Sequence, residues 1–455
     1  MTHRFDRSVL REYDIRGIVG SGLDSADARA IGRSFGTRVR RAGGSRIAVG
    51  YDGRLSSRML EAALVEGLTA SGVDVVRIGL GPSPMLYYAE ATLPVDGGIQ
   101  VTGSHNPADH NGFKMILQRR SFFGADIQDL ARLAAVGDWT EGAGTVTDVD
   151  IVDDYVDRLL AGYRGGVYRI GWDCGNGAAG PVIEKLVERL PGEHHVIFAD
   201  VDGNFPNHHP DPTVETNLAD LKRLVADEKL DFGVAFDGDG DRIGAVDGLG
   251  RVVWGDQLLA ILAEPVLRAC PGATIVADVK ASDTLFERIR ELGGVPLMWK
   301  TGHSLMKTKM LEVAAPIAGE MSGHIFFAHE FYGHDDAAFA AVRLIGALAS
   351  IGQSLTELRS AMPATVDTPE LRFPVDAARK FAIIDEVLER LAGVGATVDR
   401  TDGARVSSAD GWWLLRASNT QDMLTARAEA RDRAGLDRLV AAIDEQLAAS
   451  GISRD

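Results

Sequence analysis

One phrase recurs three times along the chain: a short apolar strand, a polar or glycine-rich turn, a helix-like segment and another strand. The first set of strands covers 46–50, 73–78 and 98–101, with an amphipathic stretch at 57–71. The second covers 168–172, 195–199 and 232–236, and the third 273–277, 295–299 and 315–319. Strands alternating with helical stretches form βαβ units, so each repeat is constrained to an α/β domain with a mixed or mainly parallel sheet. A spacing of about 100 residues is too long for a solenoid and reads as three related domains in series. The pattern changes near Pro369, where 381–391 and 437–447 read as amphipathic helices around strands such as 411–416. That implies a fourth, smaller α+β domain. The expected bounds are 1–150, 151–252, 253–366 and 367–455, with a hinge at 365–369 where the domain type changes.

The repeat has a chemical corollary. In open α/β sheets ligands collect beyond the carboxyl ends of the strands, and the third strand of each repeat runs into an unusual polar loop. These are Thr102-Gly103-Ser104-His105-Asn106-Pro107, Asp237-Gly238-Asp239-Gly240-Asp241-Arg242 and Glu320-Met321-Ser322-Gly323-His324. Equivalent loops of related domains can face one cleft. Ser104 sits on a proline-closed turn, which suits a nucleophile or phosphate carrier and equally suits an ordinary turn whose hydroxyl satisfies nearby backbone.

Asp237, Asp239 and Asp241 repel one another unless a cation sits between them, and the intervening glycines let the backbone wrap a small hard ion. Magnesium is the expected occupant. An EF-hand is excluded, because its sixth and twelfth positions fall on Arg242 and Gly248 and a strand precedes the loop. Magnesium keeps part of its shell for phosphate oxygens, so a phosphate on Ser104 is the partner this loop implies.

Near the carboxyl end, Arg416-Ala417-Ser418-Asn419-Thr420 gathers a guanidinium, hydroxyls and an amide into a phosphate cradle or a plain turn. Glu320, Ser322 and His324 alternate as if to bind vicinal sugar hydroxyls, or as if Glu320 and His324 merely pair. Tyr13-Asp14-Ile15-Arg16-Gly17, Lys114, Lys280 and Thr301-Gly302-His303 add polar and cationic groups near strand ends. Each of these alone reads as a surface residue.

Composition narrows the class of ligand. A formal net charge of -17 excludes a nucleic-acid backbone binder, so any anion must find a local basic pocket. Two cysteines, Cys174 and Cys270, give neither a disulfide framework nor a cysteine metal site. The first residues lack a signal peptide's apolar core, and no apolar run approaches the ~18 residues of a membrane span. A cytoplasmic protein is expected, with neither a nucleic-acid nor a membrane partner, as a monomer or weak homo-oligomer.

Taken together, the four loops resemble those of the α-D-phosphohexomutase family, in its order and spacing and over essentially the whole chain. Thr102 to Pro107 is similar to its phosphoserine loop, Asp237 to Arg242 to its metal loop, Glu320 to His324 to its sugar loop, and Arg416 to Thr420 to its phosphate loop. Gly319-Glu320-Met321-Ser322-Gly323-His324 and Arg416-Ala417-Ser418-Asn419-Thr420 resemble the bacterial phosphomannomutase/phosphoglucomutase branch more than the phosphoglucosamine mutases. Gln421-Asp422 departs from the acidic-or-threonine, then proline, that usually follows.

The resemblance implies four domains around a central cleft and an isomerase that interconverts hexose 1-phosphate and hexose 6-phosphate through a hexose 1,6-bisphosphate. It implies Ser104, His105, Lys114, Arg16 and Arg242 as catalytic residues, and Mg2+ on Asp237, Asp239, Asp241 and the Ser104 phosphate. Tyr13, Lys280, Thr301, His303, Glu320, Ser322, His324, Arg416, Ser418, Asn419 and Thr420 are implied as substrate contacts. Glucose 1,6-bisphosphate is implied as activator and intermediate. A phosphoglucosamine mutase, a phosphatase and an inactive sugar-phosphate binding protein stand as alternatives.

Overall fold

The computed structural model describes residues 2–376, 378–419 and 421–453. The first sheet places Ile15–Ile18, His110–Leu117, Gly97–Val101, Arg46–Tyr51, Asp74–Leu80 and Val146–Asp148 side by side, with Arg120–Ser121 against His110–Leu117. The second runs Val252–Val253, Ile243–Asp247, Phe232–Phe236, Tyr168–Asp173 and Gly192–Ile197. The third runs Val295–Trp299, Thr274–Asp278, Ile317–Gly319, Ile325–Phe327 and His334–Asp335.

The sequence repeat is thus a repeat of topology. In each sheet the strand that opens the repeat lies between the second and third, parallel to both, and a fourth strand returns antiparallel to the third. The hairpin from third to fourth strand is therefore the same loop in all three domains. It carries Ser104 in the first, the three aspartates in the second and Glu320 to His324 in the third.

Two of the strands that depart from their expected limits do so for clear local reasons. Gly192–Ile197 stops short of 199 because Phe198 turns to φ 54°, a left-handed conformation that leaves the ladder. Ile317–Gly319 starts only after Pro316, which has no N–H to give a neighbouring strand.

One apolar cluster runs from Val76, Met85 and Leu86 in the first domain, through Trp172 and Phe236 in the second, to Ile275, Phe327 and Phe339 in the third. The fourth domain has a core of its own. Its antiparallel sheet orders Val366–Asp367, Met423–Ala430, Gly411–Ala417, Ala404–Ser408 and Thr397–Asp399, with Leu371–Pro374 also on Met423–Ala430. Helices Lys380–Gly393 and Arg433–Ala449 cover it through Ile383, Val387 and Leu391 and through Leu436, Leu439, Ile443 and Leu447, a helical spacing on each.

The segment 365–369, expected to hinge, is largely built into the fourth sheet. Val366–Asp367 pairs with Met423–Ala430, and the Thr368 N–H donates to the Ala428 carbonyl at 2.9 Å, so most of that segment belongs to the fourth sheet. Just before Val366–Asp367, residues 363–365 are exposed and outside any element. Among the described residues no single helix is long and apolar enough to cross a membrane.

One buried acid couples this core to pH. Asp336 caps helix Ala337–Ile351 by accepting the Phe339 N–H and also accepts the Tyr155 hydroxyl, both at 2.8 Å. Burial pushes its carboxyl up to about 7 from 3.8. A carboxyl raised on folding adds stability that is present in acid and lost as pH rises through the folded value. Asp336→Asn keeps a capping oxygen and cannot ionise. Between about pH 5 and about pH 8 its stability is expected to gain on the native protein by roughly 2 kcal/mol, read from denaturant unfolding at each pH.

Candidate active site

The chain leaves strand Gly97–Val101 at Thr102 and turns sharply, with Ser104 at φ 49°. A left-handed non-glycine residue costs about 1–2 kcal/mol and persists only where its surroundings over-determine it. Here the Ser104 N–H donates to Thr102 Oγ1 at 2.8 Å, and Thr102 Oγ1 donates to Asp52 Oδ2 at 2.8 Å. The Ser104 hydroxyl is thereby aimed across the domain boundary. It donates to Asp237 Oδ2 at 2.9 Å and lies 3.1 Å from His105 Nδ1.

Asp237, Asp239 and Asp241 are fully buried and present carboxylate oxygens close enough to share one ion. Burial, reinforced by Asp239 and Asp241, pushes the Asp237 carboxyl well up, the mark of negative charge that the protein alone does not neutralise. Lys114, on strand His110–Leu117, donates to Asp239 Oδ2 at 2.6 Å and to Asp241 Oδ2. Burial opposes its charge, but Asp239 and Asp241 outweigh that and hold the ammonium well above its ordinary value. The opposite oxygens remain available: Asp239 Oδ1 is buried without a hydrogen bond, and Asp241 Oδ1 has His324 Nε2 3.2 Å away without a directed bond. Three oxygens of hard-ligand type beside the Ser104 hydroxyl fit a magnesium ion.

The Glu320 to His324 loop closes the same space. His324 Nδ1 lies 2.8 Å from Glu320 Oε2, and the Gly302 N–H donates to Glu320 Oε1 at 2.5 Å. The pairing of Glu320 with His324 is therefore present, alongside any role in sugar binding. Arg242 Nε lies 3.3 Å from His324 Nε2. Burial works against charge on His324, but Asp241 and Glu320 raise the imidazole to about 9. Its Nε2 can accept from Arg242 when neutral or donate towards Asp241 when charged, the two states a base must visit. Ser322 Oγ lies 3.4 Å from His324 Nδ1.

The remaining expected residues converge from the first, third and fourth domains. Arg16 donates to Asn106 Oδ1 at 2.8 Å and pairs with Asp14. His105 is pushed well down by burial and by Arg242 and Arg16, and His303 by burial, Lys307 and Lys114, so both are neutral. The Tyr13 hydroxyl donates to the Thr301 carbonyl at 2.8 Å and accepts the Asn419 amide at 2.5 Å, a bridge between three domains. Thr301 Oγ1 donates to Asp278 at 3.1 Å, and Lys280 Nζ stands 3.5 Å from Glu370. Arg416 Nε is held by Asp402 at 2.9 Å, and Ser418 Oγ accepts the Gln421 N–H at 3.2 Å. Lys380 grips the Gln421 carbonyl at 3.0 Å, which ties down the departing Gln421-Asp422 pair. Thr420 lies outside the described residues.

Several supporting residues escaped sequence reasoning. Ser83 donates to Asp239 Oδ2 at 2.5 Å, Asp402 orients Arg416 and reaches the Thr301 N–H at 3.2 Å, and Asp52 and Arg54 sit beneath the Ser104 loop. Asp52-Gly53-Arg54, a polar turn at the end of strand Arg46–Tyr51, is the one signal that was available.

Comparisons with known proteins agree with this geometry. The chain matches "Phosphoglucomutase/phosphomannomutase, alpha/beta/alpha domain I" at 7–132, domain II at 153–250, domain III at 254–366 and the C-terminal domain at 370–446. It is 44% identical over 434 residues to a phosphomannomutase/phosphoglucomutase of Pseudomonas putida, covering 95% of this chain and 94% of that protein. A phosphoglucomutase of Neisseria gonorrhoeae is 39% identical over 438 residues, covering 95% of each. A crystal structure of a phosphoglucomutase/phosphomannomutase family protein from Burkholderia thailandensis superposes with a TM-score of 0.93 at 42% identity, covering 98% of each chain. With its four domains in order and the Ser104 and aspartate loops facing each other, this chain belongs to the phosphoglucomutase/phosphomannomutase family.

Proposed function

We propose that the protein interconverts the 1- and 6-phosphates of mannose and glucose through phosphorylated Ser104 and a hexose 1,6-bisphosphate. The observation that carries this reading is the Ser104 hydroxyl on Asp237 at 2.9 Å, with Lys114 bridging Asp239 and Asp241 behind it. Phosphoserine gives its phosphoryl group to the free sugar hydroxyl: the bond from Ser104 Oγ to phosphorus breaks as the bond from phosphorus to sugar oxygen forms. The proton of that hydroxyl passes to a base; His324, whose imidazole Asp241 and Glu320 hold charged in the resting site, takes that part only from its neutral form. In the second half the bisphosphate turns over and its other phosphate returns to Ser104.

Asp237, Asp239, Asp241 and phosphorylated Ser104 would hold Mg2+, which would supply positive charge to offset that on the moving phosphoryl group. Lys114, Arg16 and Arg242 add positive charge at the same place, and neutral His105 is a hydrogen-bond partner for Ser104. Arg416, Ser418, Asn419 and Thr420 hold the phosphate that is not reacting. Lys280, Thr301 and His303 line the passage between, and Glu320 and Ser322 meet the sugar hydroxyls. Bounds near 150, 252 and 366 separate the four domains, which act in the cytoplasm as a monomer or weak homo-oligomer. Glucose 1,6-bisphosphate serves as activator, because it recharges Ser104 whenever the intermediate escapes.

Phosphorus NMR tests this directly. Protein with Mg2+, catalytic glucose 1,6-bisphosphate and mannose 1-phosphate or glucose 1-phosphate is expected to accumulate the 6-phosphate. Inorganic phosphate as the main product overturns the mutase reading in favour of a phosphatase. Faster turnover of glucosamine 6-phosphate than of either hexose phosphate moves the assignment to the glucosamine branch.

A further inference from the structure

We propose that Arg54 is the positioning residue of the phosphoserine loop and locks it to the second domain as one unit with the metal loop. The Arg54 side chain is wholly buried at the end of strand Arg46–Tyr51 and makes no contact with the metal carboxylates among its hydrogen bonds. One terminal nitrogen, Nη2, donates to the carbonyls of Ser104 at 2.7 Å and Asn106 at 2.6 Å. The other, Nη1, donates to the carbonyls of Pro107 and of His110, the latter at 2.9 Å. A single planar fork thus satisfies backbone acceptors along the whole turn, which no other side chain can do.

The turn is shaped to receive that fork. A Cβ at Gly103 would lie 2.4 Å from Arg54 Nε, so only glycine lets the guanidinium lie flat against the loop. Asp52 completes the clamp from below. Its Oδ2 accepts Thr102 Oγ1 at 2.8 Å and the Gly103 N–H at 3.1 Å, and stands 3.2 Å from Arg54 Nε. The charge of the buried guanidinium is balanced there rather than at the cleft.

Arg54 also leans on the second domain. The Phe205 ring lies 5.2 Å from the guanidinium carbon, and a Cβ at Gly203 would meet Arg54 Cα at 2.7 Å. The loop that carries Phe205 continues through His208 and Pro210, which pack against the backbone around Gly175 and Gly238 beside the aspartates. Displacing the fork therefore shifts Ser104 Oγ relative to Asp237, and an error of about 1 Å in such a geometry costs about 100-fold in rate. Lysine keeps the charge but offers a point donor in place of the fork.

This inference rests on Ser104 as phosphoryl carrier, and the test separates the two claims. Arg54→Lys is expected to lower kcat about 100-fold with KM within about three-fold of native, and to raise amide hydrogen exchange across 102–110. A second variant, Phe205→Leu, leaves the fork intact and removes only its wall in the second domain. It is expected to lower kcat about five-fold at unchanged KM, and it answers the question if Arg54→Lys does not fold. Native kcat in Phe205→Leu, or unaltered exchange and native kcat in folded Arg54→Lys, overturns the role of Arg54. A native protein without mutase turnover overturns the carrier reading instead, whatever the exchange data show.

Discussion

Ser104→Ala is expected to lower turnover by about 10^4-fold or more while leaving the fold and substrate binding intact. The reason is local. Ser104 makes one side-chain bond to Asp237 and one contact to His105, and its backbone is anchored through Thr102 rather than through its own hydroxyl. Removing the oxygen therefore takes away the phosphoryl carrier and little else. Because the residue must be charged before the first turnover and again after each one, no other group in the cleft can substitute for it in part. Steady-state rates, with thermal unfolding and binding of hexose phosphate as controls, check the expectation. A loss of only about ten-fold would mean that phosphate reaches the sugar by another route.

The second large effect concerns the aspartates. EDTA is expected to lower kcat by roughly 10^3-fold, and added Mg2+ to restore it. In Asp239→Asn the loss is expected to persist at any Mg2+ concentration within solubility, because Asp239 Oδ1 is a buried oxygen with no hydrogen-bond partner. The same change removes the charge of one Lys114 partner, yet an amide oxygen at the Oδ2 position still accepts from both Ser83 and Lys114, so the loop backbone stays in place. Mn2+ binding followed by electron paramagnetic resonance distinguishes a lost ion from a distorted loop. Native Mn2+ affinity in Asp239→Asn would place the metal elsewhere.

These sites were legible for a physical reason. Ser104, the aspartates, the Glu320 loop and Arg416 to Asn419 each crowd reactive groups into a few consecutive residues, and crowding of that kind has few structural explanations. The repeat supplied the rest, since three equivalent hairpins at the carboxyl ends of parallel strands must point the same way. Partnerships across domains left no such trace. Tyr13 meets Thr301 and Asn419, and Ser83 meets Asp239, only after four sheets have been assembled. Trp412 gave no sign that Arg405 would lie 4.0 Å over its ring, or that Arg427 would reach the Lys280 carbonyl, where the third and fourth domains join. The fourth sheet's first strand is hidden for a related reason: Val366–Asp367 is too short to read as a strand until Met423–Ala430 is there to pair with it.

The measurement closest to the central claim is the mass of the protein before and after it meets substrate. Incubation with glucose 1,6-bisphosphate and Mg2+ is expected to add one phosphoryl group, mapped by peptide fragmentation to Ser104, and excess hexose 6-phosphate is expected to discharge it within a turnover. Phosphate on His105 or elsewhere, or continued turnover by a protein never phosphorylated at Ser104, would contradict the account.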